Sequence, residues 1–222
     1  MTRRLTVFAA AGALLLAAAP AALVATPSAV LAQAARAHGD PQAEAFVQGQ
    51  ANRVLQILSN PGMGVEAKKA VFRQIIDQVA DVPRITSFVL GRYRRIVTPA
   101  QYSDFSAAFK TYAENVYESR LNEYKGQTLQ VTGSVVRQPG DVVVSSQIIG
   151  GPGQPAQVNW RVLRGADGQY RAVDVQVAGI WLAITEQQDF VSTLDNHGGD
   201  INLLINQLRN GTASARSAGR AG

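Results

Sequence analysis

The hydrophobic period changes from helical to alternating at Gly126 and back after Gly179, and the first change decides which class of fold is open to the chain. Before Gly126 apolar residues recur every three or four positions, as on a helix face; after it they alternate, as on a strand with one buried side. Four strands are read from the alternation: Leu129/Val131/Gly133/Val135, Val142/Val144 through Ile148-Ile149, Val158/Trp160/Val162, and Val173/Val175/Val177. The turn signals between them, Gln138-Pro139-Gly140-Asp141, Gly150-Gly151-Pro152-Gly153 and Gly165-Ala166-Asp167-Gly168, are short, and short connections make antiparallel neighbours. Asn159, Arg161, Asp174 and Gln176 fall between the apolar positions, so each strand has one wet face and the other face needs a cover of helices. Helices first, a four-stranded antiparallel meander second and helices last predict an α+β layer fold in one domain.

The covering helices carry their own punctuation. Asp40 is placed to cap a helix beginning at Pro41, with Val47, Ala51, Val54, Leu55 and Leu58 on one face and Asn60-Pro61-Gly62 ending it. Val65, Phe72, Ile75, Ile76 and Val79 mark a second amphipathic helix over 65–79. Asp81-Val82-Pro83 breaks the chain and restarts it as a short helix through Phe88 and Val89, stopping near Gly91. Thr98-Pro99-Ala100-Gln101 has the form of a capping box and predicts a long helix over 99–124. Its inner stripe is aromatic: Tyr102, Phe105, Phe109, Tyr112 and Val116, extended by Tyr117, Leu121 and Tyr124. After Gly179 a helix runs through Ile184, Phe190, Val191 and Leu194 to His197, and Asp200 caps a last one that buries Ile201, Leu204, Ile205 and Leu208.

Both ends read differently from this body. Arg3 and Arg4 precede an apolar stretch over 5–16, and Val30-Leu31-Ala32 offers small residues at a cleavage point, so residues 1–32 are expected to be a cleaved secretory signal. The paired arginines resemble a twin-arginine signal, but Thr6 and Val7 do not continue that pattern, and the general secretory route is the expectation. No stretch approaches the roughly 20 apolar residues of a membrane-crossing helix. Residues 33–210 form the expected domain, and 211–222, rich in Ser, Ala, Gly and Arg, an expected disordered tail. The absence of cysteine excludes disulfides, thiolate metal sites, cysteine nucleophiles and an anchor built on a cysteine. The formal charge of +5 loses two arginines and no acid with residues 1–32, leaving a mild +3.

Enzyme chemistry needs a nucleophile beside a base, paired carboxylates, or metal-ligand spacing, and none stands out. His38 falls in the N-terminal lead-in and His197 beside Gly198-Gly199, so neither reads as part of a ligand set. The Gly150-Gly151-Pro152-Gly153 loop has no Lys-Ser/Thr after it and leads into a strand, which makes it a hairpin loop rather than a phosphate cradle. Asp174 reads as a solvated or salt-bridged strand residue. Arg92, Arg94 and Arg95 form a basic cluster before the long helix, but few aromatic platforms accompany it and no nucleic acid is expected. No metal or cofactor is expected.

Several motifs, in this order, resemble one family. Leu90-Gly91-Arg92-Tyr93, Thr98-Pro99-Ala100-Gln101, Phe105, Phe109, Tyr112 and the run from Tyr117-Glu118-Ser119-Arg120 to Leu121-Asn122-Glu123-Tyr124 are similar to the toluene-tolerance family, the periplasmic phospholipid-binding MlaC proteins. Val173-Asp174-Val175-Gln176-Val177-Ala178-Gly179-Ile180, Phe190 and the Gly-Gly-Asp-Ile helix start resemble the family's closing segment, so the likeness covers about residues 41–210. The chain departs from the family where Arg94 replaces a common Trp, Trp181 a small Ser and Gln187 an Arg. The resemblance implies an NTF2-like fold with an internal lipid cavity, and a monomeric, non-enzymatic carrier of phospholipid. Its implied partners are an inner-membrane ABC transporter complex and an outer-membrane lipoprotein/porin complex. A hopanoid-type lipid is the alternative ligand, because the related HpnM branch shares the architecture and Trp181 is bulky.

The residues expected to line such a cavity are Phe88, Tyr102, Phe105, Phe109, Tyr112 and Val116 on the helices, Val131, Val158, Trp160, Val162, Val173, Val175 and Val177 on the strands, and Trp181. The same side chains would also build an ordinary core. Arg92, Arg94 and Arg95 are the candidates for headgroup or partner contact. An NTF2-like enzyme would instead need Asp174 as a cavity acid beside Tyr112 or Tyr170.

Overall fold

Polar side chains set where the helices begin. In the computed structural model, which describes residues 39–121, 124–151 and 154–211, Asp40 accepts from the N–H groups of Gln42 and Ala43 and opens α1, Pro41–Leu58. The expected signal segment, the lead-in to residue 38 and the tail from 212 lie outside the described residues. α2 is Val65–Val79; Asp81 then accepts from the Arg84 N–H at 3.1 Å and opens α3, Val82–Val89, and a 3-10 helix, Gly91–Arg95, follows. Thr98 and Gln101 exchange both bonds of a capping box at 3.0 and 3.2 Å to start α4, Pro99–Leu121. Tyr124 lies beyond that helix, because the turn at Gly126, with φ 93° and a bond from the Lys125 N–H to Gln127 Oε1, needs non-helical geometry.

The sheet has five strands rather than four, in the order β1-β2-β3-β4-β5 with every pair antiparallel: Thr128–Gln138, Asp141–Ile149, Ala156–Arg164, Tyr170–Val177 and Ile180–Trp181. The fifth exists because Ala178 and Gly179 both take positive φ, 50° and 81°, and fold two residues back onto β4. Two residues carry no alternation that a sequence pattern would register. α5, Leu182–Asn196, and α6, Ile201–Arg209, follow among the described residues, the latter capped by Asp200.

Bulges decide which side chains share a face. Val142, Val144 and Ser146 pair with Val162, Trp160 and Val158, which pair in turn with Ala172, Val175 and Val177. Between Arg161 and Val162 the register slips, so Val173 sits at the bulge instead of continuing the Val175 and Val177 row. A second slip between Val131 and Gly133 moves Gly133 and Val135 to the opposite face, and Val135 is 61% exposed. The expected rows Val131/Gly133/Val135 and Val173/Val175/Val177 are therefore each broken once.

α1 lies on the inner face, where Ala43 and Val47 pack with Val142, Val144, Val162, Tyr170 and Ala172. It is tied to the edge strand by polar bonds: Gln48 accepts from the Val131 N–H and donates to the Leu129 carbonyl, and Ser134 donates to Glu44. At the other side of the sheet the Asp81 N–H donates to the Ala172 carbonyl, where β5 leaves β4 unpaired. α4 packs along α6 and more lightly on α3 and α2.

Candidate functional site

The aromatic stripe of α4 turns toward α5. Phe105 and Phe109 stack with centroids 5.9 Å apart, and Phe190 meets each of them edge-on at 5.9 Å. These three rings, with Leu90, Leu194, Leu204, Ile205 and Leu208, form a closed helical cluster. Tyr112 is buried at its side and donates to Glu186 Oε1 at 3.2 Å, while Val116 is half-buried at its margin. Tyr102 is half-buried beneath the Arg94 guanidinium, 4.0 Å from its ring, and shares a 2.9 Å bond with Ser87; Phe88 is on the surface.

Among the described residues the buried apolar side chains thus gather in two main clusters, one between helices and one between α1 and the sheet. The candidates divide accordingly. Val162 and Val158 are buried on the sheet's inner face, whereas Val131, Trp160, Val175 and Val177 on that face are only half-buried. Trp160 is held there by a polar relay in which its Nε1 donates to Ser146 Oγ, which donates to the Val158 carbonyl, both at 2.9 Å. Ser146 is fully buried and in phase with Val142 and Val144, but its polar neighbours Ser145 and Gln147 hide that phase in the sequence. Trp181 pairs with Gln176, and so belongs to the face opposite Val175 and Val177.

The charged groups near this interior are committed. Asp174 is buried on the opposite face, accepts from the Val175 and Ala183 N–H groups, both at 2.8 Å, and so holds the first turn of α5. Burial pushes its carboxyl above the usual range, against the pull of those N–H groups and of Arg161. Neither proposed tyrosine reaches it: Tyr112 is bonded to Glu186, and Tyr170 donates to Asp40 at 2.5 Å, which with burial pushes Tyr170 up to about 12. Glu118 is buried on α4 and takes the Arg73 side chain of α2 in a two-pronged pair at 2.5 and 3.0 Å. In the sequence it stands out only as a member of the Tyr117-Glu118-Ser119-Arg120 run, with nothing to say that it is buried. Of the basic cluster, Arg92 pairs with Asp195, Arg94 covers Tyr102, and Arg95 has no ion partner among the described residues. No group of metal-ligating side chains forms among the described residues, and none of their helices is long and apolar enough to cross a membrane.

Fold and interior together define a class of α+β shell, helices laid over an antiparallel sheet with the apolar interior split in two. A family model described as MlaC protein matches residues 48–210, and the chain belongs to that family. It is 26% identical over 164 residues to the toluene tolerance protein ttg2D of Pseudomonas putida, across 73% of this chain and 74% of that one. The phospholipid-binding protein from Ralstonia solanacearum, solved in complex with a phospholipid, superposes with a TM-score of 0.66 at 27% identity, covering 78% of this chain and 97% of that one.

Proposed function

We propose that this chain is a periplasmic lipid carrier that holds phospholipid tails between its two apolar clusters and passes them between an inner-membrane ABC transporter complex and an outer-membrane complex. The observation that carries the reading is the row of apolar side chains, Val131, Trp160, Val175 and Val177, that stays half-buried on the sheet face carrying α1. A filled core would bury them. The similar structure that holds a phospholipid supports the same occupant here.

Physics explains why such an interior is useful. At about 0.8 kcal/mol per methylene, exposing a two-chain lipid of roughly 30 methylenes to water costs on the order of 20 kcal/mol, so unassisted transfer is negligible. A shell that replaces water around the tails removes that cost. Release then requires contact with an acceptor that opens the shell, and no chemical step is needed, in keeping with a non-enzymatic role. Trp181, which prompted the hopanoid alternative, lies on the other sheet face and does not favour it.

Organic extraction of the purified protein followed by mass spectrometry should recover close to one phospholipid per chain. Val175→Glu puts a charge among the tails and should lower that content at least severalfold while the protein still folds. Folded parent protein free of lipid would end the proposal, and a hopanoid in the extract would replace phospholipid as the cargo.

A further inference from the structure

The 3-10 helix and the adjoining stripe of α5 build a surface that the interior does not account for. Gly91, at φ 52°, lets the two approach: a Cβ there would stand 2.8 Å from Val191 Cγ2. The Gln187 amide donates to the Phe88 carbonyl at 2.6 Å and locks α3 to α5 at the same point. The result is an open groove of about 490 Å³ walled by Arg92, Arg95, Gln187 and Val191.

Two kinds of side chain project around this groove. Arg92, Arg94 and Arg95 are exposed on the 3-10 helix, and Asp195 is already bound by Arg92 and the Tyr93 hydroxyl. Beside them Phe88 is 39% exposed, Ile96 69% and Ile184 40%, three of the seven large apolar side chains exposed among the described residues. Ile184, Gln187 and Val191 follow at helical spacing on α5, and Phe88 and the 3-10 helix with its three arginines and Ile96 adjoin that stripe where the Gln187 amide meets the Phe88 carbonyl.

We propose that this face docks on an anionic phospholipid bilayer, with Arg92, Arg94 and Arg95 on lipid phosphates and Phe88, Ile96 and Ile184 entering the headgroup layer. Charge complementarity selects the anionic surface. A protein partner would ask for a continuous apolar centre inside a polar rim, whereas here separate apolar tips stand among guanidiniums, the mixture that a bilayer interface accepts at a single depth. The inference goes beyond the carrier reading and does not depend on it, since a surface contact needs no interior ligand.

Co-sedimentation of the mature chain with vesicles tests it. The protein should partition onto equimolar phosphatidylglycerol and phosphatidylcholine, far more weakly onto phosphatidylcholine alone, and less at high salt. Each arginine near an anionic surface is worth about 1 kcal/mol, or roughly fivefold, so Arg95→Gln should weaken binding about fivefold and Arg94→Gln with Arg95→Gln about 25-fold. Ile96→Ser should weaken it severalfold with the charge intact. Co-purified lipid, measured on the Ile96→Ser variant, should not change, which separates this surface from the interior. Parent protein that ignores anionic vesicles, or variants that bind them as the parent does, would overturn the proposal, and the first result would give the face to a protein partner.

Discussion

Asp141 and Asp174 stand two strands apart on one face of the sheet, and their surroundings push them in opposite directions. The Arg161 guanidinium grips Asp141 at 2.8 and 3.0 Å and holds its carboxyl below the usual range, so this pair adds stability above the unfolded value of about 3.9 and loses it as acid titrates the folded group. Asp174 carries the reverse sign. Burial raises its folded value, so its contribution is most favourable below about 3.9 and declines as pH rises through that higher value. Asp174→Asn keeps an oxygen for the Val175 and Ala183 N–H groups without the buried charge. Urea unfolding should find this variant more stable than the parent at neutral pH, with the difference vanishing near pH 4. A variant that is weaker at neutral pH would mean that the carboxylate charge on the helix start outweighs its burial.

The starts of α1, α4 and α6 were legible because a cap is a local device: Asp40, Thr98 and Asp200 stand beside the N–H groups they satisfy, and nothing distant is needed to read them. Thr98→Ala should therefore cost about 1 kcal/mol, read as a shift in the denaturation midpoint with an unchanged slope. Strand existence was legible on the same grounds, but register was not. The extra residue in β4 at Val173 is decided by how Arg161 and Val162 pair across the ladder, a relation between segments that alternation within one of them does not contain. The long helix shows the same limit. Spacing of Phe105, Phe109 and Tyr112 defined a buried face, yet its partner could have been sheet or helix, and Phe190 of α5 takes it. Spacing thus gave the buried face of a helix or strand, while the element opposite it was set by the rest of the chain, as the rings of Phe105, Phe109 and Phe190 show by closing on one another.

For the molecule as a whole, the consequence of two apolar clusters is that something must couple them. Arg73 on α2 and Glu118 on α4 form one such tie, since α2 packs on α1 and β4 while α4 belongs to the helical cluster. A lipid lying between the clusters would be a second tie, and a ligand that binds only the folded state stabilises it by mass action. The two ties act in parallel if both bridge the same gap. Glu118→Gln keeps the volume but removes the charge, which should cost about 2 kcal/mol and lower the melting temperature of protein stripped of lipid by roughly 4–8 °C. In the lipid-loaded protein the same change should cost less, because the tails still join helices to sheet. Thermal denaturation of parent and variant, each loaded and stripped, measures the coupling as a cycle. Equal losses in both states would show that the ion pair and the lipid act independently, and that the pair braces α2 against α4 without spanning the space the tails occupy.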